Sequence, residues 1–239
     1  MEAPQSAGQG PIGRVAGNGR VRAVSGERGP VDGRVERGNQ TRRMVLQRAA
    51  EIASIEGLEN LSLGRLATEL RLSKSGVFSL FGSKEGLQLA TVRVAIKFYL
   101  EDLLNPNRRI PDGVVKLWSL CESWLQYSKG RAFPGGCFFF ATAVEFSARS
   151  GKVRDLIAGT QREWITHVEQ MIERAVAVGE LVPETDGAVL AFELIALLDS
   201  ANGTSLLHDD DSAYTKASTA ILNRLRSAST DKSLLPQAV

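Results

Sequence analysis

Between Leu61 and Leu87 the chain reads Leu-Ser-Leu-Gly-Arg-Leu-Ala-Thr-Glu-Leu-Arg-Leu-Ser-Lys-Ser-Gly-Val-Phe-Ser-Leu-Phe-Gly-Ser-Lys-Glu-Gly-Leu. Few folds accept so many helix starts and tight turns in so short a stretch. Leu66, Ala67 and Leu70 supply an apolar face for one short helix, and Leu72, Val77, Leu80 and Phe81 supply one for the next. The link from Leu70 to Ser73 is too short for anything but a sharp helix-turn-helix crossing. Ala67 is small where the two helices approach, and Val77 closes the angle. Ser73 is placed to cap the second helix, and Ser83 to cap a third that runs on through Lys84. The outcome is a short helix with its N-terminal residues outward and basic side chains around it, a shape suited to the major groove of DNA.

These residues also carry a resemblance. From about Asn39 to about Val92 the chain resembles the DNA-binding domain of the TetR family of bacterial transcriptional regulators. Thr41-Arg-Arg leads into Val45, Leu46, Ala49, Ile52 and Ala53, and the first helix stops at Gly57-Leu58-Glu59-Asn60. Phe81-Gly-Ser-Lys-Glu-Gly-Leu87 is similar to the family's Phe-x-x-Lys-x-x-Leu ending. A lone helix-turn-helix pattern is a weak signal; four helices in this order and spacing are a specific one. The resemblance implies an all-α protein, with an N-terminal helix-turn-helix DNA-binding domain and a C-terminal helical domain for ligand binding and dimerisation. It implies DNA contacts from Arg42, Arg43, Ser62, Ser73, Lys74, Ser75, Gly76, Phe78, Ser79 and Lys84. Among these, Arg42 or Arg43, the amides at the helix starts and Lys84 are expected to hold phosphates. Lys74, Ser75 and Ser79 are expected to meet base edges.

The chain departs from the family pattern in three places. Arg71 stands in the inter-helix turn where Gly is usual, and a left-handed conformation there costs a residue with a Cβ roughly 1 kcal/mol. Phe78 replaces the usual Tyr and offers packing or a thymine-methyl contact instead of a hydroxyl. Leu80 occupies a place where an aromatic residue or His is common.

The formal net charge is only +2 over 239 residues, so any electrostatic footprint for DNA has to be local. Arg42, Arg43, Arg48, Arg65, Arg71, Lys74 and Lys84 all fall around the motif. The two cysteines, Cys121 and Cys137, provide no disulfide framework and suit a reducing cytoplasm. Both sit in apolar helices with no basic neighbour, as buried inert thiols would, rather than as a redox switch. No apolar run approaches the length of a membrane span, and no signal-peptide core is seen, so a soluble cytoplasmic protein is expected.

Residues 1–38 are rich in Gly and Arg with no apolar periodicity, and are read as a disordered tail. The tail is either uninvolved or a basic arm following the minor groove; Glu27, Asp32 and Glu36 dilute its charge. The DNA-binding domain is placed at 39–99, the effector-binding and dimerisation domain at 100–228, and a C-terminal tail at 229–239. Within the second domain, helices are expected from Asp112 to Ser128, Cys137 to Ser147, Val153 to Val178, Thr185 to Leu207 and Ser212 to Arg226. The fourth of these is apolar nearly all round and needs cover on more than one side. A partner copy is the expected cover, giving a four-helix bundle across a homodimer.

By its resemblance the second domain encloses a small-molecule pocket. Trp118, Cys121, Phe138, Glu145, Trp164 and Met171 are the candidate ligand contacts, with Phe139 and Phe140 beside them; any one of them taken singly reads more readily as core. For Glu145, an exposed i,i+4 pair with Arg149 is the favoured alternative. Catalysis has little support. His167 and His208 belong to no metal-ligand spacing and lie near no nucleophile pattern, and Phe133-Pro-Gly-Gly136 does not follow a strand, so it is no phosphate loop. No cofactor, metal or catalytic residue is expected. The leading reading is a dimeric repressor released from a palindromic operator by a small molecule. A co-regulator acting through protein contacts, or an enzyme acting on the ligand, are the alternatives.

Overall fold

The computed structural model describes residues 33–237. The fold is all-α. Helix α1 (Gly33–Glu56), α2 (Leu63–Glu69), α3 (Lys74–Phe81) and the first half of α4 (Lys84–Tyr99) form the head. Its core is where the sequence places it: Val45, Ala49, Ile52, Ala53, Leu66, Ala67, Val77 and Leu87 are all buried.

Each short helix of the head begins on a serine. The Oγ atoms of Ser62, Ser73 and Ser83 accept from the amides of Arg65, Gly76 and Gly86, each at 3.0 Å, which satisfies donors that a helix start leaves unpaired. The turn between α2 and α3 is left-handed at Arg71, with φ 54°. That conformation lets the Leu72 amide reach back to the Ala67 carbonyl at 2.8 Å, closing the turn as glycine does in most helix ends of this kind.

The expected N-terminal tail lies outside the described residues except for 33–38, which form the opening turns of α1. Extending an existing helix adds one bond per residue fixed, so Gly38 does not stop it. Thr41 Oγ1 bonds the Arg37 carbonyl at 2.9 Å, and Glu36 lies in the first turn, where a negative charge meets the positive end of the helix dipole.

Beyond Tyr99 the helix continues as a π-helical stretch, Leu100–Leu104, and one further turn, α5 (Asn105–Asn107). The body follows: α6 (Val114–Lys129), α7 (Phe138–Phe146), α8 (Lys152–Ala177), α9 (Gly187–His208) and α10 (Ser212–Ala228). Helix α9 is central, packed between α8, α10 and α6. The apolar stripe of α10 (Tyr214, Ala217, Ile221, Leu225) is buried within this chain. The last described residues are packed too. Leu181 bridges to Ser229, Leu235 is buried, and Arg226 Nη1 donates to the carbonyls of Lys232, Leu235 and Pro236.

One expectation is corrected on α9. Among the described helices it has the length and composition of a membrane span, with mean hydropathy 1.3 over its most apolar window. Glu193 and Asp199 divide the run, so it does not read as one continuous apolar segment. Its interior carries a polar network. Asn202 Oδ1 accepts from Ser128 Oγ at 2.8 Å and from the Cys137 amide at 2.9 Å, while Ser205 Oγ meets the Tyr214 hydroxyl at 2.9 Å. These bonds tie α9 to α6, α10 and the start of α7, the interior of a folded domain.

Candidate nucleic-acid interface and effector cavity

The face of α3 that points away from the head is built by elimination. Val77 is fully buried against the head core, so on a helix of this pitch Lys74, Ser75, Phe78 and Ser79 are turned outward, and all are exposed. Phe78 is 56% exposed, an unusual position for a ring with nothing to cover it. Ser79 Oγ donates to the Gly76 carbonyl at 2.8 Å, and Ser75 Oγ lies 3.5 Å from Ser73 Oγ.

Around this face many cations are already engaged. Arg42 Nη1 donates to the Leu80 carbonyl, and its guanidinium lies 4.7 Å above the Phe81 ring. Arg48 and Arg65 share Glu69, and Arg65 also grips Glu56 through two nitrogens. Hydrogen bonds from Arg65 and Arg48 hold the Glu69 carboxyl below its usual range. Lys84 Nζ pairs with Glu59, whose carboxyl it likewise depresses. Arg71 and Lys74 are exposed and have no such partner among the described residues.

The head is held to the body by a carboxylate. Glu145 on α7 accepts from the amides of Leu58 (2.7 Å) and Glu59 (2.8 Å), the turn that ends α1. That turn passes through Gly57 at φ 92°, where a Cβ would come within 2.9 Å of the Glu145 carboxylate. Both the left-handed backbone and the close approach call for glycine here. A second clasp lies nearby: the Gly135 amide donates to Ser54 Oγ at 3.0 Å, and a Cβ on Gly135 would strike the Ser54 carbonyl.

Behind these clasps lies a cavity of about 400 Å³. Helix α4 and the π-helical stretch contribute Ile96, Tyr99, Leu100 and Leu104; α7 contributes Phe139, Phe140, Ala143 and Val144. The remaining wall comes from Trp124 on α6, from α8 with Trp164 and His167, and from α9 with Ile195 and Asp199. Tyr99 is the hub, with edge-on contacts to the rings of Tyr127, Phe139 and Trp164 at 5.4–5.9 Å. Burial pushes the Tyr99 hydroxyl well above its ordinary pKa and the Asp199 carboxyl up to about 6. Burial, with Arg174 and Lys116 nearby, lowers His167. Leu100 and Leu104, the first and last residues of the π-helical stretch, both line the cavity.

A profile described as "Tetracyclin repressor-like, C-terminal domain" matches residues 113–221, the body that encloses this cavity. That span is similar to the C-terminal domain of TetR-type repressors, and the chain as a whole has the TetR-regulator fold. Solved transcriptional regulators share this fold. One from Chloroflexus aurantiacus is 22% identical, covering 81% of this chain and 98% of its own, with a TM-score of 0.75. A putative transcriptional regulator from Saccharomonospora viridis, solved in complex with choline, is 20% identical over 81% of this chain and 100% of its own (TM-score 0.69). AibR, solved in complex with isovaleryl coenzyme A and operator DNA, is 20% identical over 68% of this chain and 85% of its own (TM-score 0.57). No curated protein sequence matches this chain.

Within this TetR fold, the residues assigned to DNA fall into three groups. Lys74, Ser75, Phe78 and Ser79 share the outward face of α3, with Gly76 exposed beside them. Ser62 and Ser73 spend their hydroxyls on helix caps. Of the cations expected to hold phosphate, Arg42 is locked onto α3 and Lys84 onto Glu59, while Arg43 is 74% exposed with only a long 3.5 Å pair to Glu36.

The ligand candidates separate more sharply. Trp164 lines the cavity. Phe138, Cys121 and Met171 are buried in the core, and Trp118 packs against it outside the cavity wall. Burial pushes both thiols, Cys121 and Cys137, up to about 12, in keeping with inert packing. Glu145 is the head–body clasp, and the expected i,i+4 pair is corrected as well: Arg149 Nε donates to the Glu145 main-chain carbonyl at 3.1 Å, leaving the carboxylate to the turn amides. Sequence reasoning missed Tyr99, Trp124, His167 and Asp199. Asp199 carried a usable signal, since it is a carboxylate in a helix otherwise apolar on that side. Tyr99 had none, because a tyrosine in a long helix carries no local mark of what its ring will face.

Proposed function

We propose that this protein is a dimeric DNA-binding repressor of TetR type that a small molecule releases from a palindromic operator. The observation that carries the DNA half is the outward face of α3: two serines, an unpaired lysine and an exposed phenyl ring on a helix whose other face is locked into the head. Lys74, Ser75 and Ser79 meet base edges, and Phe78 packs against a thymine methyl. Phosphates are held by Arg71, Arg43 and the exposed helix starts, with Lys84 contributing only if it leaves Glu59. The left-handed turn is compensated in this reading, because it presents the Arg71 guanidinium beside the recognition helix.

The dimer rests on α9. Val189, Phe192, Ala196, Ser200 and Leu207 fall on one stripe of that helix, and Phe192 and Leu207 are 75% and 79% exposed. An apolar stripe of this kind on a soluble protein marks an interface, and a second copy related by two-fold symmetry covers it with the same stripe. The ligand half rests on the cavity, whose walls include α4, which runs into the head, and α7, which clasps it. Solved proteins of the same fold have been seen with operator DNA and with small molecules, and the site of action is the cytoplasm.

The test is fluorescence anisotropy of the full chain on duplexes from the DNA flanking its own gene. A dimer should bind one such duplex far more tightly than random DNA. Affinity should fall by about two or more powers of ten between low and moderate salt. Binding that ignores salt, or a monomer by sedimentation, refutes the reading.

A further inference from the structure

The cavity wall has a charge pattern that goes beyond its size. Its carboxylates are Asp199 and Glu163, its other titratable groups are His167, Tyr99 and Cys137, and no lysine or arginine lines it. Asp199 stands in the α9 wall with no hydrogen bond or ion pair to any described residue. Asp199 is half-buried, and a carboxylate drawn even that far from water without a partner is costly; chains retain such a group where something else supplies the counter-charge. The surroundings are aromatic: Tyr99, Trp124, Phe139, Phe140 and Trp164. Ring faces attract cations and repel anions, and Trp and Tyr do so most strongly.

We propose that the effector is an amphipathic organic cation, an ammonium group carried on an apolar body, with the cation held between Asp199 and the aromatic wall. The inference rests on reading this cavity as the effector site, and it names the chemistry of that effector. An anion is disfavoured twice, by the two carboxylates and by the ring faces. A neutral apolar molecule fits the walls but leaves Asp199 unpaired. Thr160 and Gln161, also on the wall, offer hydrogen bonds to a polar group of the ligand. The cavity's size suits a ligand with one ring and a short chain. Desolvation is the sole cause of the raised Asp199 pKa, and a bound cation reverses that shift by pairing with the ionised form.

Three probes with one frame test it: 4-phenylbutylamine, 4-phenylbutan-1-ol and 4-phenylbutyrate, titrated by calorimetry into the full-length protein at pH 7.5. The amine should bind about ten-fold or more tighter than the alcohol, a gap of the size expected for a desolvated cation on aromatic faces, and the carboxylate should bind weakest. Asp199→Asn should remove the amine's advantage and leave the alcohol unchanged. Ala143→Trp, which fills the cavity from α7, should abolish binding of all three and gives a second readout if Asp199→Asn folds poorly. The inference is overturned if alcohol or carboxylate binds as tightly as the amine, if none of the three binds, or if the amine keeps its advantage in Asp199→Asn. Amine binding that depends on Asp199 but leaves DNA affinity unchanged upholds the ligand class and removes the induction reading.

Discussion

Replacing Glu145 probes how the two halves of the molecule are joined. Its carboxylate accepts two main-chain hydrogen bonds, at 2.7 and 2.8 Å, from the turn ending α1. Hydrogen bonds to a charged group contribute about 1.5–3 kcal/mol each, and partial exposure places these at the lower end. Glu145→Ala should therefore destabilise the protein by about 2–3 kcal/mol, since Leu58 is buried and water reaches its amide poorly. In a chain of this size that lowers Tm by about 5–10 °C at equal protomer concentration. Glu145→Gln should lose about half as much or somewhat more, because its oxygen satisfies one amide while its NH2 group opposes the other. Hydrogen exchange sharpens the assay: the amides of Leu58 and Glu59 should exchange faster in both variants, while those of the α9 core are unchanged at equal net stability. The functional consequence is a loss of coupling. Because α7 carries both the clasp and the cavity residues Phe139, Phe140 and Ala143, Glu145→Gln should keep binding of DNA and of ligand while the effect of one on the other shrinks. A Glu145→Ala melting curve within about 1 °C of wild type would refute the reasoning, because two part-buried bonds to a carboxylate cannot vanish at so small a cost.

Lys84→Ala should change the salt dependence of DNA binding little, because Lys84 is already paired with Glu59, whereas Arg71→Ala should flatten the log–log salt slope by about one unit; anisotropy titrations at several salt concentrations decide between them. Asp199→Asn should stabilise the ligand-free protein at neutral pH. The Asp199 carboxyl is raised to about 6, so the wild type is penalised for ionising it, and the penalty grows as pH rises from the unfolded value near 4 through 6. The variant should gain on the wild type by about 2 kcal/mol between pH 4 and pH 7, measured by urea unfolding, and a constant difference across that range would contradict it. Tyr99 and Cys137, the titratable neighbours that sense Asp199, stay neutral throughout this window. Ala143→Trp should block ligand response while sparing DNA binding, and Ala141→Trp, which lies off the cavity wall, should leave the response intact in the same reporter assay.

Much of the fold was legible in local chemistry. Serines at helix starts, glycines and prolines between periodic segments, and apolar residues at helical spacing act within a few residues of themselves. The helices α6 to α10 accordingly lie within a few residues of their expected limits. The left-handed turn at Arg71 was legible for the same reason, since a turn that short between two helices leaves the backbone little choice. Helical spacing identifies a helix but does not say which neighbour each face meets. Phe138, Phe139 and Phe140 are equivalent in sequence, yet the first is core and the other two line the cavity. Glu145 and Asp199 are both acids in apolar helices. One reaches the amides of a turn 86 positions away in the chain and the other is left facing the cavity. Charge partners were equally hidden: Arg42 and Lys84 look free in sequence, but α3 hands one a carbonyl and a ring, and the turn after α1 hands the other a carboxylate. Sequence by itself determined the elements and the helix-turn-helix head, because those depend on short-range forces. Which polar groups stay available for a ligand or for DNA was decided by long-range packing, because a group's availability is whatever its tertiary neighbours leave unsatisfied.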